Sequence, residues 1–285
     1  MEQTRCLKLK HKIEIIERSD SKFIMYAAFN FETNKFSDNY FRTNQNRIMG
    51  EVICKKYGLD FEGYIKRYLF DEECLDGDTI SREWFPEINA DIFLSHSHKD
   101  KEIALELAGF LYYEFGLSTF IDSYAWGYSN DLLKCIDNKY CLKNNGEYDY
   151  DLRNISTSHV HMMLAVALEK MMDKSECVFF LNTENSTNKK ITDTVRFHET
   201  TFSPWIYFEL SQLGHLRRYC KRKGIVHKPM MSYRSDSGGI RISYGIDASN
   251  MKSVSGYTLS TWKEWMAYNR DKHPLDVLYY ITKVE

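Results

Sequence analysis

The chain has 285 residues, a length that suits one domain with an extension. Hydrophobic residues make up 43% and charged residues 27%, as in ordinary globular proteins, while 4 prolines and 14 glycines leave little room for disordered linker. The net charge of −2 excludes the global basic field of a protein that binds nucleic acid or anionic membrane.

The cysteines and the amino terminus bear on the cellular compartment. The 7 cysteines form no C-x-x-C pair, so their pattern indicates reduced thiols rather than a zinc site or a redox motif. The first 16 residues lack the apolar core of a signal peptide, and no run of 18 apolar residues follows. We therefore expect a soluble, cytoplasmic protein without a membrane segment.

Residues 1–88 show a mixed α+β pattern, which predicts a separate amino-terminal accessory module. Residues 22–31 suit a strand, residues 32–38 a polar turn, and residues 47–57 and 61–70 helices. The acidic, glycine-containing segment 71–81 is predicted to be a loop and the domain boundary.

Residues 89–285 alternate strands with helices, which predicts a second domain. The first strand, 91–94, is followed by a helix for which Asp100 is the predicted N-cap, and Ile103, Leu107, Phe110 and Leu111 share one face of that helix. The later elements, in chain order, are strand 117–122, helix 158–172, strand 176–181, helix 203–218, a strand beginning at 224–227, and helices 259–268 and 274–282. This order predicts a parallel sheet covered by helices, with ligands at the carboxyl ends of its strands. The polar insertions 128–157 and 182–202 follow the second and third strands and are placed to wall that site.

Four ordered blocks resemble a TIR domain. They are DIFLSHSHKD (91–100), GLSTFID (116–122), CVFFLNTENS (177–186) and SPWIYFEL (203–210), the last of which resembles the helix with the family's W-x-x-x-E motif. The resemblance implies a flavodoxin-like parallel sheet and leaves residues 1–88 uncovered. The segment 123–128 lacks the Pro-Gly signature of receptor TIR domains, which favours the stand-alone bacterial type found in Thoeris antiphage defence.

Glu209 is the residue of that helix most suited to chemistry. Ser203 is a good N-cap and Pro204 a good first residue, so Trp205, Glu209 and Leu213 fall on one stripe at the helical period. A carboxylate within an apolar stripe is costly unless it is paired or used. The structural alternative is a glutamate that bonds to buried backbone or to arginine.

The resemblance assigns roles around Glu209. It implies that Glu209 is the catalytic carboxylate of an enzyme that cleaves NAD⁺, with NAD⁺ as the substrate and no further cofactor. Cleavage of the bond to nicotinamide passes through an oxocarbenium-like state, which a carboxylate stabilises. Ser97 and His98 are candidate substrate-binding residues with ordinary turn and capping roles as the alternative. Trp126 and Trp205 are further candidates that can equally be packing residues.

Other residues favour structural interpretations. Asp122 ends a strand beside the predicted site and is interpreted as structural. His159 and His161, two residues apart on a predicted helix, point about 200° apart, so no metal site is predicted. The basic run 217–223 suits a solvated helix end better than a phosphate or nucleic-acid site. Trp262 and Trp265 are interpreted as packing residues.

Three functions stay open from the sequence. The first is an NAD⁺ glycohydrolase, a cyclase or an enzyme that transfers ADP-ribose to a small molecule, with a product that signals to a separate effector protein. The second is a non-enzymatic TIR assembly module, in which Glu209 is structural, and the third is an enzyme similar to nucleoside deoxyribosyltransferases. We expect the active form to be a homo-oligomer with contacts through the loop 123–128 and the insertion behind it, because Tyr124, Trp126 and Tyr128 cluster there.

Overall fold

The computed structural model describes residues 27–33, 40–57, 75–190, 198–213, 242–246, 248 and 251–284. Its main sheet has five parallel strands, which are β1 (Ala27–Glu32), β2 (Ile92–Ser95), β3 (Thr119–Ile121), β4 (Cys177–Asn182) and β8 (Lys252–Val254). Their order in the sheet is β3-β2-β4-β1-β8. A smaller antiparallel sheet has the order β5-β6-β7 and consists of β5 (Asn188–Lys190), β6 (His198–Thr201) and β7 (Tyr244–Gly245).

Helices cover both faces of the main sheet. In the described part of the chain they are α1 (Asn44–Tyr57), α2 (Gly77–Trp84), α3 (Lys101–Phe115), α4 (Asp122–Ile136), α5 (Tyr150–Lys174), α6 (Pro204–Gln212), α7 (Gly256–Tyr268) and α8 (Pro274–Thr282). None of these helices is both long and apolar enough to cross a bilayer. The α/β prediction is confirmed at this level.

The two faces of the sheet have separate cores. Because side chains alternate along a strand, Phe31, Leu94 and Phe179 point to what we call the first face, which α1, α3, α7 and α8 cover. Phe93 and Phe180 point to the second face, which α2, α4, α5 and α6 cover. Each strand is apolar on both faces, as a sheet between two helical layers requires.

Strand β1 corrects the prediction of a separate module in residues 1–88. It pairs in parallel with β4, with Phe29 opposite Phe179, and on its other edge with β8. The sheet order is consistent with the flavodoxin-like order 2-1-3-4-5 if β2, β3, β4 and β8 correspond to the first, second, third and fifth strands of that fold. Strand β1 then takes the fourth place. The pairing was missed because parallel partners far apart in sequence leave no local pattern.

Helix α1 also belongs to the main domain. It crosses α3 at Gly50 and Gly109, where the two backbones nearly touch. A Cβ at Gly109 would lie 1.9 Å from the carbonyl oxygen of Asn46, and a Cβ at Gly50 would lie 2.1 Å from that of Leu105. Glycine is therefore required at both positions. The prediction of a helix at 47–57 is confirmed, but it covers the first face of the main sheet rather than a core of its own.

Four segments that were predicted to be loops or polar insertions contain regular structure. The segment 71–81 becomes α2 from Gly77, because the Asp76 carboxylate accepts hydrogen bonds from the backbone N–H groups of Asp78 and Thr79 and so caps the helix. Residues 123–128 lie in α4, which continues β3 without a loop and packs through Leu132 and Ile136. The insertion 128–157 is largely helical, since α5 begins at Tyr150, and the insertion 182–202 contains β5 and β6.

The remaining elements agree with their predictions where the structure describes them. The helices α7 and α8 and the strands β2, β3 and β4 occupy the predicted segments to within a few residues. Helix α6 begins after Ser203 as expected. The predictions for residues 22–26, 34–38, 61–74, 191–197 and 214–241 lie outside the described residues.

Candidate functional site

Polar side chains replace the apolar core at the carboxyl ends of three strands. Ser95 pairs in register with Phe180 of β4, and Asn30 of β1 pairs with the same residue. Asp122 follows Ile121, the partner of Leu94, and so completes this row across the sheet. Because side chains alternate along a strand, all three polar residues point to the same face as Phe93 and Phe180, which is the second face.

The row lies where this class of sheet binds ligands. From β2 the chain moves to β3 on one side, and β4 lies on the other side of β2. Strand order thus reverses at β2, and in open parallel sheets the crevice outside the carboxyl ends at such a reversal is the usual ligand site. Ser95 ends β2 and Asp122 follows β3 directly, so both stand at the reversal.

Helix α6 brings Glu209 to this row. The Ser203 hydroxyl accepts a hydrogen bond from the backbone N–H of Ile206, which confirms the predicted N-cap. The buried residues of α6 are Ile206, Glu209 and Leu210, and the buried Leu213 follows the helix directly. The Ser95 hydroxyl donates to Oε2 of Glu209 at 2.5 Å, a contact between residues 114 apart in sequence. Both side chains have 0% exposure, so the predicted burial of the carboxyl group is complete.

Asp122 and His96 extend the network. Nδ1 of His96 lies 2.6 Å from Oδ1 of Asp122, and both side chains have 0% exposure. The Asp122 carboxyl group lies beside Glu209 and the backbone N–H groups of His96 and Ser123, all three of which lower its pKa, but neither of its oxygens has a hydrogen-bond partner of good geometry among the described residues. Asp122 therefore contacts the candidate catalytic residue as well as ending a strand. We call Ser95, His96, Asp122 and Glu209 the carboxyl network.

Burial sets the protonation state of the network. Desolvation raises the pKa of Glu209 well above its usual value; the Asp122 charge raises it further, whereas the Ser95 hydroxyl lowers it. Desolvation also raises the pKa of Asp122, whereas the neighbouring Glu209 and the backbone N–H groups of His96 and Ser123 lower it. Burial therefore favours the neutral form of both carboxyl groups, and their mutual repulsion disfavours a doubly charged pair. Desolvation lowers the pKa of His96 to about 4, so this imidazole is neutral near pH 7.

A second polar cluster fixes the loops beside the network. Asp100 was predicted to cap α3, and it stands at that position, but its side chain bonds elsewhere. Its Oδ2 accepts the Thr183 hydroxyl at 2.5 Å, and its Oδ1 accepts the Asn185 amide at 2.7 Å. Asp100 thus ties the loop after β2 to the loop after β4, which holds the rim of the site in place.

The predicted substrate-binding residues occupy different surroundings. Ser97 is buried in the loop after β2 and its carbonyl accepts the Asp100 backbone N–H at 2.8 Å, while the neighbouring His98 is exposed. Trp205 is half-buried, with its ring centroid 5.5 Å from that of His161, and it packs against the second-face core. The Trp126 backbone lies in α4, and its side chain is outside what the structure describes. A role in substrate binding stays a prediction for all four.

Two asparagines that the sequence analysis missed also face this edge. Asn30 and Asn182 are each 7% exposed. Among the described residues, Oδ1 of Asn30 and Nδ2 of Asn182 have no hydrogen-bond partner, although Oδ1 of Asn182 accepts the Thr187 hydroxyl at 2.7 Å. Buried polar atoms without partners are costly and mark places where water or a ligand binds. Their alternation with Ala28 and Phe180 was the signal that could have identified them.

The described residues contain no group of three histidine, cysteine, aspartate or glutamate side chains arranged to hold a metal ion. Comparison of the chain with protein-family models, curated proteins and solved structures gave no match. The case for function therefore depends on the carboxyl network and on the sequence motifs.

Proposed function

We propose that the protein is a TIR-like enzyme that cleaves NAD⁺ between ribose and nicotinamide, with Glu209 as its catalytic carboxyl group. The hydrogen bond from Ser95 to Glu209 carries the proposal. It joins two blocks of the TIR-like pattern, the strand DIFLS and the helix SPWIYFEL, at the edge of the sheet where ligands bind. A purely structural hydrogen bond would not need to lie at the carboxyl ends of the strands, as the bond between Ser95 and Glu209 does.

The chemistry suits a pair of carboxyl groups whose mutual repulsion disfavours a second charge. In the state with one negative charge, the pair stabilises the oxocarbenium-like state as nicotinamide leaves as a neutral base. Water then attacks the sugar carbon, and its proton passes to the Asp122 and Glu209 pair and on to solvent. The balanced products are nicotinamide, ADP-ribose and one proton. A cyclisation or a transfer to another small molecule replaces water with a different nucleophile at the same carbon.

The asparagines fit the same substrate. An unpaired acceptor, Oδ1 of Asn30, and an unpaired donor, Nδ2 of Asn182, complement the amide group or the ribose hydroxyls of NAD⁺. Because Ser95 and Glu209 are fully buried, substrate can reach them only after the groups that cover the network move apart. The proposal therefore includes an opening step before chemistry, as is common where a site excludes water.

The experiment is to incubate purified protein with NAD⁺ and to follow nicotinamide release by chromatography. The wild type is compared with Glu209→Gln, which keeps the shape of the side chain but cannot ionise, and with Glu264→Gln, an exposed glutamate on α7. We expect Glu209→Gln to lose at least about a hundredfold in rate and Glu264→Gln to match the wild type. Circular dichroism of each variant verifies folding.

Two outcomes would overturn the proposal. Equal turnover by the folded Glu209→Gln variant would remove Glu209 from the chemistry. No turnover by the wild type at any protein concentration, with and without phage lysate as a source of an activating ligand, would favour the assembly module instead. Adding a purine deoxynucleoside and a second free base in parallel reactions distinguishes deoxyribosyl transfer, since that activity exchanges the base and leaves NAD⁺ intact.

The wider setting is part of the proposal. By the TIR resemblance, the product would serve as a signal to a separate effector protein in antiphage defence, and the active form would be a homo-oligomer. Cytoplasmic localisation follows from the same resemblance and from the cysteine pattern.

A further inference from the structure

Two neighbouring strands each carry a buried asparagine with an unpaired side-chain atom, and the two atoms have opposite polarity. Oδ1 of Asn30 in β1 is an acceptor and Nδ2 of Asn182 in β4 is a donor, and neither has a partner among the described residues. Although the two atoms complement each other, they do not bond to each other. Asparagines that served only to hold β1 to β4 would use these atoms for one bond, since leaving both unmade is costly.

The orientation of the Asn182 amide is set by its surroundings. Its Oδ1 accepts the Thr187 hydroxyl at 2.7 Å, which leaves Nδ2 as the end without a partner. The next residue, Thr183, donates its hydroxyl to Asp100, and its backbone N–H donates to the Ser186 hydroxyl. The end of β4 is therefore held in place before a ligand arrives, and Nδ2 is a preorganised donor.

The two asparagines lie close to the bond between Ser95 and Glu209. Ser95 and Asn30 pair in register with Phe180 from opposite sides, so two strand spacings place their Cα atoms about 10 Å apart. Asn182 lies two residues beyond Phe180 on β4, between the flanking strands, and points to the same face of the sheet. A ligand group that bonds both asparagines is therefore separated from the carboxyl network by about the width of one strand.

We propose that Asn30 and Asn182 recognise the carboxamide of the nicotinamide ring, with Asn30 accepting from its NH₂ group and Asn182 donating to its carbonyl oxygen. The inference rests on the proposed function for the identity of the substrate. A carboxamide presents a fixed donor beside a fixed acceptor, which matches the two unpaired atoms one to one. A ribose hydroxyl both donates and accepts, so the ribose does not require atoms of opposite polarity. In NAD⁺ only the pyridine ring separates the carboxamide from the bond that breaks, which suits a carboxamide held one strand away from Glu209.

This arrangement predicts selection against dinucleotides that lack the amide N–H. The analogue 3-acetylpyridine adenine dinucleotide keeps the carbonyl group and the charge of NAD⁺ but has a methyl group in place of NH₂. Its binding leaves Oδ1 of Asn30 buried without a donor, so it should bind at least about tenfold more weakly than NAD⁺. Asn30→Leu replaces the amide with an apolar group of similar shape and should remove that preference.

Isothermal titration calorimetry of the full chain with the two dinucleotides tests the assignment, with Glu209→Gln as the background so that NAD⁺ is not consumed. We expect Asn30→Leu to bring the ratio of the two Kd values from about ten or more to about one. Asn182→Asp keeps an acceptor for Thr187 but loses the donor, and should weaken the binding of both dinucleotides at least about tenfold. The matched control is Asn154→Leu, an exposed position on α5, which should keep the ratio of the background chain. Urea unfolding of Asn30→Leu without ligand should give an unchanged or higher midpoint, because the substitution removes an unpaired acceptor.

Several results would overturn the carboxamide assignment. A background chain that binds the two dinucleotides equally, or binds neither, would show that water alone pairs with the two atoms. An Asn30→Leu variant that keeps the preference for NAD⁺ would place the selection elsewhere, and a lowered urea midpoint would show that Oδ1 of Asn30 supports the fold. None of these results changes nicotinamide release by the wild type, so the proposed function would stand on its own experiment. Conversely, selective binding that depends on Asn30, without cleavage by the wild type, would overturn the proposed function and keep the carboxamide site.

Discussion

The two faces of the main sheet end differently at the same edge. On the first face the carboxyl ends of the strands stay apolar, as Phe31, Leu94 and Leu181 show. On the second face the corresponding positions are Asn30, Ser95 and Asn182, and Ser95 donates a hydrogen bond to the buried Glu209. Both faces are covered by helices, so exposure to water does not explain the difference.

The comparison indicates that the polar edge of the second face is not needed for folding. The first face shows that apolar residues can close the sheet at this level. Burying two carboxyl groups and two partly bonded asparagines lowers the stability of the fold, whereas apolar residues at these positions would not. Proteins commonly depart from the most stable choice at functional sites. We therefore interpret the first face as the source of stability and the second face as the place of function.

The largest expected effect comes from removing a ring of the first face. Phe179 has its ring centroid 4.6 Å from that of Phe31 and 5.3 Å from that of Phe29. Phe179→Ala should lower the free energy of unfolding by about 3–5 kcal/mol, because it leaves a cavity among rings that cannot collapse. Urea unfolding measures the loss, with the exposed Tyr113→Ala as a control that should change stability little. A loss below about 1 kcal/mol would contradict the assignment of stability to this face.

How far the sequence predicts the two faces depends on how local each feature is. The strands β2, β3 and β4, the Ser203 cap and the burial of Glu209 follow from short patterns, and these predictions are confirmed. The position of β1 in the sheet depends on parallel pairing with strands far away in sequence, which no local pattern records. Helix α4 was missed because its aromatic first turns hide the helical period.

The site was predictable only in part for the same reason. The position of Glu209 on an apolar stripe was visible in the sequence, but its bonding partner Ser95 and its charged neighbour Asp122 come from other elements. Strand alternation was the available signal for the position of Ser95. Residues two apart in a strand point to the same face of the sheet, so Ser95 shares the face of Phe93. The same alternation relates Asn30 to Ala28, but it could not place Asn30 at the site because its strand was assigned to another module.

The next effect concerns acid stability of the second face. His96 has a pKa lowered to about 4 by burial, so it is neutral when folded and takes up a proton on unfolding below its ordinary pKa of 6.5. Its contribution is fully present above pH 6.5 and is lost as pH falls through about 4, a change of about 3 kcal/mol. His96→Gln should lack this loss when unfolding free energies are measured from pH 7 to pH 4.

The Asp122 and Glu209 pair acts in the opposite direction, since its raised pKa values favour the folded state in acid. The informative quantity is therefore the difference in slope between His96→Gln and the wild type. His159→Gln, on the exposed side of α5, is the matched control and should keep the wild-type slope. Parallel curves for the wild type and His96→Gln would show that the imidazole is not held neutral in the fold.

A smaller effect tests whether α1 belongs to the first face. Gly109→Ala places a Cβ against the Asn46 carbonyl and should cost about 1–3 kcal/mol, as overpacking does. Gly127→Ala in α4 is the control, because a Cβ there meets nothing within 4 Å and should stabilise the helix slightly. Equal unfolding free energies for the two variants would indicate that α1 is a separable module after all.

The central claim is that the carboxyl network serves function rather than stability, and Glu209→Gln tests it most directly. Because the pKa of Glu209 is raised, its contribution to stability is present in acid and is lost as pH rises through the folded value. Glutamine cannot ionise, so at pH 8 the variant should be at least as stable as the wild type in urea unfolding, with an advantage that shrinks toward pH 5. A variant clearly less stable than the wild type at pH 8, with nicotinamide release unchanged, would contradict the account.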